Sequence, residues 1–222
     1  MPLVLPGQEA RFSEPGSRFA RHHHLSAYAA VLVAGECEET GDHGRFRARP
    51  GQVLAHQPFD GHADRIGAKG ALFINIPLRT PLPSAFGRID DLDGLVRACE
   101  RDSVEGEWLL HQRFVSLAQP TDWPDLLARD LSSASFCFLA DWARDKGLRP
   151  ASVSRGFRLA YGMSPKRYRL EQMARKAAVE VRLRTVPLAD VALSAGFADQ
   201  PHMTRTLSML FGVTPRRLQQ MS

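Results

Sequence analysis

The sequence predicts an α+β chain: a small N-terminal β-barrel or sandwich, then an all-α C-terminal domain with two helix-turn-helix units. Three observations predict it. Short strand-like runs separated by Gly- and Pro-containing turns fill residues 18–83. One block of sequence occurs twice in the C-terminal half. Charge also divides along the chain. Residues 1–120 hold 13 Lys/Arg against 15 Asp/Glu, whereas residues 121–222 hold 16 against 9. A basic C-terminal module suits a polyanionic partner or, equally, a solvated basic face.

The candidate strands are 27–33 (AYAAVLV), 44–48 (GRFRA), 52–57 (QVLAHQ) and 71–76 (ALFINI). Their spacing suits a small barrel or sandwich. Residues 84–120 read as helical. Leu92, Leu95, Val96 and Cys99 form an i, i+3, i+4, i+7 stripe, and a second run holds Trp108, Leu109, Phe114, Val115 and Ala118. These helices either cover the open side of the barrel or mediate dimerisation. The expected domains are 1–83, a linker or dimerisation region at 84–120, and 121–222.

The repeat is read residue by residue. LADWARDKGL (139–148) returns as LADVALSAGF (188–197), and SRGFRLAYGMSPKRY (154–168) returns in kind as TRTLSMLFGVTPRRL (204–218). Each copy reads as helix, turn, helix. Gly147 and Gly196 end the first helices, because glycine takes the left-handed conformation of a C-cap. Asp199 suits the N-cap of the next helix in the second copy. Val153, Phe157 and Ala160 in one copy, and Met203, Leu207 and Leu210 in the other, are the inward positions. Gly162 and Gly212 end the second helices. Ser164-Pro165 and Thr214-Pro215 open the following ones with a capping hydroxyl and a proline at the first helical position. Residues 165–184 read as one connecting helix with Tyr168, Leu170, Met173, Ala177 and Val181 as its buried stripe. The second helix of such a unit enters the major groove, where arginine bonds guanine O6 and N7 together. Arg149, Arg158, Lys166, Arg167, Arg169, Arg216 and Arg217 suit phosphate contacts. Gly156 stands inside the first reading helix, where glycine costs about 1 kcal/mol relative to alanine.

Residues 123–222 closely resemble the DNA-binding domain of the AraC/XylS transcriptional regulators. The signature lies in the second copy, with Ala192, Gly196, Phe197, Asp199, Thr204/Arg205, Phe211, Gly212 and Pro215 at the family's positions. The resemblance implies seven helices and a sequence-specific, promoter-binding regulator. Its DNA contacts would be Ala151, Ser154, Arg155 and Arg158 in the first unit, and Gln200, Pro201, Thr204, Arg205 and Arg216 in the second. Arg149 departs from the family's capping serine. Ser208, Met209 and Leu210 depart from its Lys/Arg-rich stretch, so a second chain is expected to strengthen binding. The resemblance further implies RNA polymerase and a second copy of the chain as partners.

His22-x-His24, Gly35, Pro50-Gly51, Pro58 and Gly61-His62 resemble the cupin-like sensor domain of the same regulators. His22 and His24 share one strand face. With His62 they offer three imidazoles, enough for a transition metal, for polar contacts to an organic effector, or for an ordinary surface cluster. Metal-binding cupins supply a glutamate where Tyr28 stands, so no metal and no cofactor are expected. His22, His24, Tyr28, Glu36 and His62 are the candidate contacts to a small-molecule effector. His23 and His56 are expected to point the other way.

Phosphate-cradling loops, nucleophile elbows and paired Cys/His spacing are absent from the sequence, so an enzyme is not expected. The alternative is a metal-dependent cupin enzyme with an appended DNA-binding domain. Three separated cysteines (Cys37, Cys99, Cys137), no apolar run of membrane-spanning length and no secretory N-terminus point to the cytoplasm.

Overall fold

The computed structural model describes residues 10–118, 121–133, 138–183 and 186–221. Cys137, Arg184 and the N-terminal residues read for a leader lie outside them. The chain divides into two compact units, Met1–Pro120 and Thr121–Ser222.

The N-terminal unit holds β1 (Ala10–Ser13), β2 (Arg18–His23), β3 (Tyr28–Gly41), β4 (Gly44–Ala48), β5 (Gln52–His56), β6 (Gly61–Pro77) and β7 (Phe86–Ile89). Helices α1 (Leu92–Arg101) and α2 (Ser103–Arg113) follow, then β8 (Phe114–Ser116). All eight strands join one antiparallel sheet in the order β1-β6-β3-β5-β7-β8, with β2 also on β6 and β4 on β3.

Side chains alternate across this sheet as the pleat requires. Ala29, Val31, Val53, Ala55, Ile74 and Ile76 face Leu95, Cys99 and Leu110 of the two helices. Ala30, Leu32, Leu54 and Phe73 face the opposite way, onto Phe46 and Phe86. Phe46 and Phe86 stack at 4.9 Å although β4 and β7 do not pair. The sheet is therefore rolled. Tyr28 and Glu39 give the same result: they stand eleven positions apart on β3, about 35 Å in a straight strand, yet both reach His62. Among the described residues the pairing path is not closed, since β1 and β8 end it on either side.

A bulge in β3 between Leu32 and Ala34 bends the strand and shifts its alternation, and a second irregularity, opposite Gly35–Cys37, lies in β6 between Ile66 and Ala71. Inward positions therefore run Tyr28, Ala30, Leu32, then Cys37 and Glu39. Gly35 sits at the bend with φ of +85° and packs against the Gly70 carbonyl.

Several sequence expectations change here. The run 27–33 continues to Gly41, and 71–76 is the end of a strand starting at Gly61. Residues 86–89 and 114–116, read as helical, are strands, so Phe114 and Val115 leave the helical run. Strands of three or four residues are too short to display a period. Trp108 is exposed, and α2 buries Gly106, Glu107 and Leu110 instead. The helices cover one face of the sheet.

The C-terminal unit contains α3 (Trp123–Leu131), α4 (Leu139–Asp145), α5 (Pro150–Tyr161), α6 (Pro165–Leu183), α7 (Leu188–Ser194), α8 (Gln200–Phe211) and α9 (Pro215–Gln220). These are the seven helices implied by the resemblance. Gly147, Gly162, Gly196 and Gly212 all take positive φ at helix ends. The Ser164 and Thr214 hydroxyls accept from Arg167 N and Arg217 N, at 3.2 and 3.4 Å. Leu127, Trp142, Ala143, Val153, Phe157, Tyr161 and Tyr168 form the core of the first copy. The helix α6 packs against α3, α5, α7, α8 and α9, with Ala174, Ala177 and Ala178 fully buried. In its expected stripe, Leu170 and Met173 are only half-buried, and Glu171 is buried instead.

Gly156 has a packing reason that the sequence did not reveal. A Cβ there would stand 2.5 Å from the Trp123 indole. Replacing Gly156 with alanine should therefore destabilise the C-terminal unit by about 1–3 kcal/mol, as overpacking does, instead of gaining helix propensity. Trp123→Leu in the same background should recover part of the loss in urea unfolding. Gly35→Ala faces both positive φ and the Gly70 carbonyl 2.0 Å from the new carbon. It should cost the N-terminal unit about 2 kcal/mol or more, read as an earlier unfolding midpoint.

Candidate DNA-reading faces and a buried histidine cluster

Helix α5 buries Val153, Phe157 and Tyr161. The opposite face carries Ala151, Ser154, Arg155 and Arg158, at i, i+3, i+4 and i+7. Ala151, Arg155 and Arg158 are exposed and Ser154 is half-buried. Helix α8 repeats the arrangement. It buries Met203, Thr206 and Leu207 and presents Gln200, Pro201 and Arg205 to solvent beside a half-buried Thr204. Leu210, expected inside, is half-buried. Arg216 is exposed in the first turn of α9.

The start of α8 is fixed by Asp199, whose carboxylate accepts from His202 N at 2.6 Å. Arg149 at the matching position of α5 makes no side-chain cap bond. Tyr161 and Trp142 donate to Asp125 and Asp130 of α3, each at 2.8 Å, which holds the first copy against that helix. Arg155, Arg158, Arg205 and Arg216 form no ion pair among the described residues. Arg167 differs: its guanidinium lies 2.8 Å from the buried Glu171. The pair lies within α6, one turn apart, and leaves the guanidinium partly exposed.

The N-terminal unit gathers His22, His24, Tyr28, Glu39, His56 and His62. The His62 ring lies 4.3 Å from that of His22 and 5.3 Å from that of His24. Its Nε2 is 3.1 Å from the Tyr28 hydroxyl. The expected grouping of His22, His24, Tyr28 and His62 is thus what the structure brings together. Glu36 is not among them. The shift in alternation after the β3 bulge turns it outward, where it lines a separate groove with Arg18, Glu38, Arg47 and Arg65. His56, expected to point away, is buried in the cluster with its ring stacked on His62 at 4.2 Å. Glu39 was missed altogether; its carboxylate lies 3.3 Å from His56 Nε2 and 3.2 Å from His62 Nδ1. The run of apolar residues ending at 33 hides the strand that carries it, and the bulge breaks the alternation that would have marked it.

Backbone contacts fix this end of the sheet. Phe59 is buried with φ of +69°, a strained conformation for a side chain. Its N–H donates to the His24 carbonyl at 2.7 Å and ties the β2–β3 turn to the β5–β6 turn. Asp60 accepts from Gln57 N at 2.6 Å and pairs with His43 at 2.7 Å.

Burial, followed by the charge of His62, pushes His24 down to about 3 and lowers His22. Burial also raises Tyr28, aided by Glu39. Burial alone would raise Glu39, but the His56 and His62 rings outweigh it and hold the carboxyl well below the usual range. For His62 burial is again opposed, by Glu39 and Asp64, and the imidazole rises to about 10. The cluster thus centres on the cationic His62 ring, beside the neutral imidazoles of His22 and His24. Cys37 and Cys99 are buried free thiols, both raised by burial. Two groups of side chains have metal-ligand spacing: His22, His24 and His62, and Glu39, His56 and His62. No described helix is long and apolar enough to cross a membrane.

Residues 142–221 match the family model of a helix-turn-helix domain. Among curated protein sequences none matches the chain. Solved structures with similarity include an AraC-type transcriptional regulator from Chromobacterium violaceum, 23% identical over 41% of this chain and 81% of its own, with a TM-score of 0.38. ToxT from Vibrio cholerae is 8% identical over 97% and 98%, with a TM-score of 0.44. A variant of oxalate decarboxylase from Bacillus subtilis is 20% identical over 29% and 18%, with a TM-score of 0.27. The family match and the duplicated geometry make the C-terminal unit a helix-turn-helix DNA-binding domain. The chain is a DNA-binding transcriptional regulator, with the duplicated seven-helix arrangement that the AraC/XylS resemblance implied.

The caps of the two reading helices make unequal contributions. Asp199→Ala should lower the stability of the C-terminal unit by about 1 kcal/mol through loss of the N-cap bond. Arg149→Ala, with no such bond to lose, should leave it within about 0.5 kcal/mol. Thermal denaturation of the two variants checks the contrast.

Proposed function

We propose that this regulator reads promoter DNA with both helix-turn-helix copies of one chain. The single observation that carries the reading is the equivalence of Arg155 and Arg205. They occupy matching positions in α5 and α8, both exposed and both without a carboxylate partner among the described residues. Ala151, Ser154, Gln200, Pro201 and Thr204 flank them as base-edge contacts, and Arg158 and Arg216 hold phosphates. The 19 residues of α6 span about 28 Å. Such a connector suits two reading helices that enter successive major grooves about one turn apart.

The N-terminal unit acts as the sensor. His22, His24, Tyr28 and His62 meet a small-molecule effector at the end of the rolled sheet where His22 and His24 are half-exposed. A second copy of the chain strengthens the grip on DNA, and RNA polymerase reads the result in the cytoplasm. The protein works by binding and not as an enzyme; the helix-turn-helix domain supports this over a metal-dependent cupin enzyme.

Selection of bound sequences from random DNA, followed by fluorescence anisotropy on the selected site, tests the reading. Arg155→Ala and Arg205→Ala should each weaken the selected site by about 1–3 kcal/mol and relax preference at one position. Arg158→Ala and Arg216→Ala should weaken all sequences alike and reduce the salt dependence by about one counterion. Equal affinity for selected and random DNA at moderate salt overturns the proposal.

A further inference from the structure

We propose that Glu39, His56 and His62 form a binding site for a divalent transition-metal ion inside the rolled sheet. Three donor atoms converge there: Glu39 Oε2, His56 Nε2 and His62 Nδ1, with the oxygen 3.3 and 3.2 Å from the two nitrogens. Ligand atoms bound at metal distances of about 2.0–2.2 Å in tetrahedral geometry stand roughly 3.3–3.5 Å from one another. Neither ring nitrogen makes a hydrogen bond to the carboxylate in spite of this closeness. Both rings are almost wholly buried, His56 at 3% and His62 at 4% exposure. Buried polar atoms of this kind ordinarily have a partner, and an ion at the centre supplies one to both nitrogens.

The surroundings suit a ligand role. A metal-bound imidazole commonly engages its other nitrogen with a neighbouring group that fixes the ring. His62 does so through Nε2, 3.1 Å from the Tyr28 hydroxyl. The Tyr28 ring stacks on His56 at 4.7 Å and holds that ring in turn. Asp64 Oδ1, 3.4 Å from His62 Nδ1, adds a further oxygen beside the site. Imidazole and carboxylate ligands suit Zn2+ and its first-row neighbours. Two carboxylates that would keep a proton on His62 Nδ1 attract a dication to the same place. The group His22, His24 and His62 is less committed, because His22 and His24 are half-exposed and His22 Nδ1 already lies 2.9 Å from the Ala20 carbonyl.

Glu39 stands on β3, His56 on β5 and His62 on β6. An ion at this point pins three strands and holds the roll of the sheet closed. The test uses the full chain, made without a histidine tag, stripped with chelator and titrated with Zn2+ by calorimetry. One Zn2+ per chain is expected, with micromolar or tighter affinity and a Tm raised by several degrees. Glu39→Gln and His56→Gln should each weaken binding at least tenfold, while His22→Gln and His24→Gln leave it within twofold. Ring 15N spectra of the unsubstituted protein give a second readout that does not depend on variants folding: His56 and His62 should move to metal-bound shifts. Absence of saturable Zn2+ binding, or Zn2+ that shifts His22 and His24 while His56 stays unchanged, overturns the proposal.

Discussion

The C-terminal unit depends on the close approach that small side chains allow along α6. Ala174, Ala177 and Ala178 are fully buried, and helices of both copies pack on the same rod. Larger residues there would force the copies outward and change the spacing of α5 and α8 together. Interiors packed to crystal-like density do not absorb such changes locally. The buried Glu171 fits the same logic. Its carboxylate lies 2.8 Å from the Arg167 guanidinium one turn back along the same helix, so a buried acid on α6 has a partner. Spacing, and hence what the two helices can read in common, is a property of this one helix.

The N-terminal unit solves a different problem. A sheet with apolar residues on both faces needs cover on both. Two helices cover one face, and the rolling of the sheet covers the other. The bulge in β3 bends the strand, and it also decides which residues meet inside. One residue's shift in alternation sends Glu36 out and brings Glu39 in. The polar cluster is thus a product of backbone irregularity as much as of side-chain choice.

Much of the C-terminal unit was legible because its signals are local. Glycines at helix ends, hydroxyl-proline starts and apolar positions at helical spacing each need only neighbours in sequence, and their recurrence at one offset made them unmistakable. Gly156 was misjudged because its partner, Trp123, lies on another helix. In the N-terminal unit the strand cores of β4 and β5 could be read as short runs set between Gly- and Pro-containing turns. The long reach of β3 and β6 could not, since bulges interrupt the period. His22, His24 and His62 were legible as a set from spacing and resemblance. His56 and Glu39 were not, because only the roll of the sheet brings them together.

The contact between Trp123 and Gly156 has an optical consequence. The chain has three tryptophans; Trp108 lies in the N-terminal unit, Trp123 and Trp142 lie around the first helix-turn-helix copy, and the second copy has none. An indole seated against the middle of α5 makes the first reading helix its own fluorophore. Its emission follows the packing of α5 on α3 without any label, and the second copy carries no such reporter.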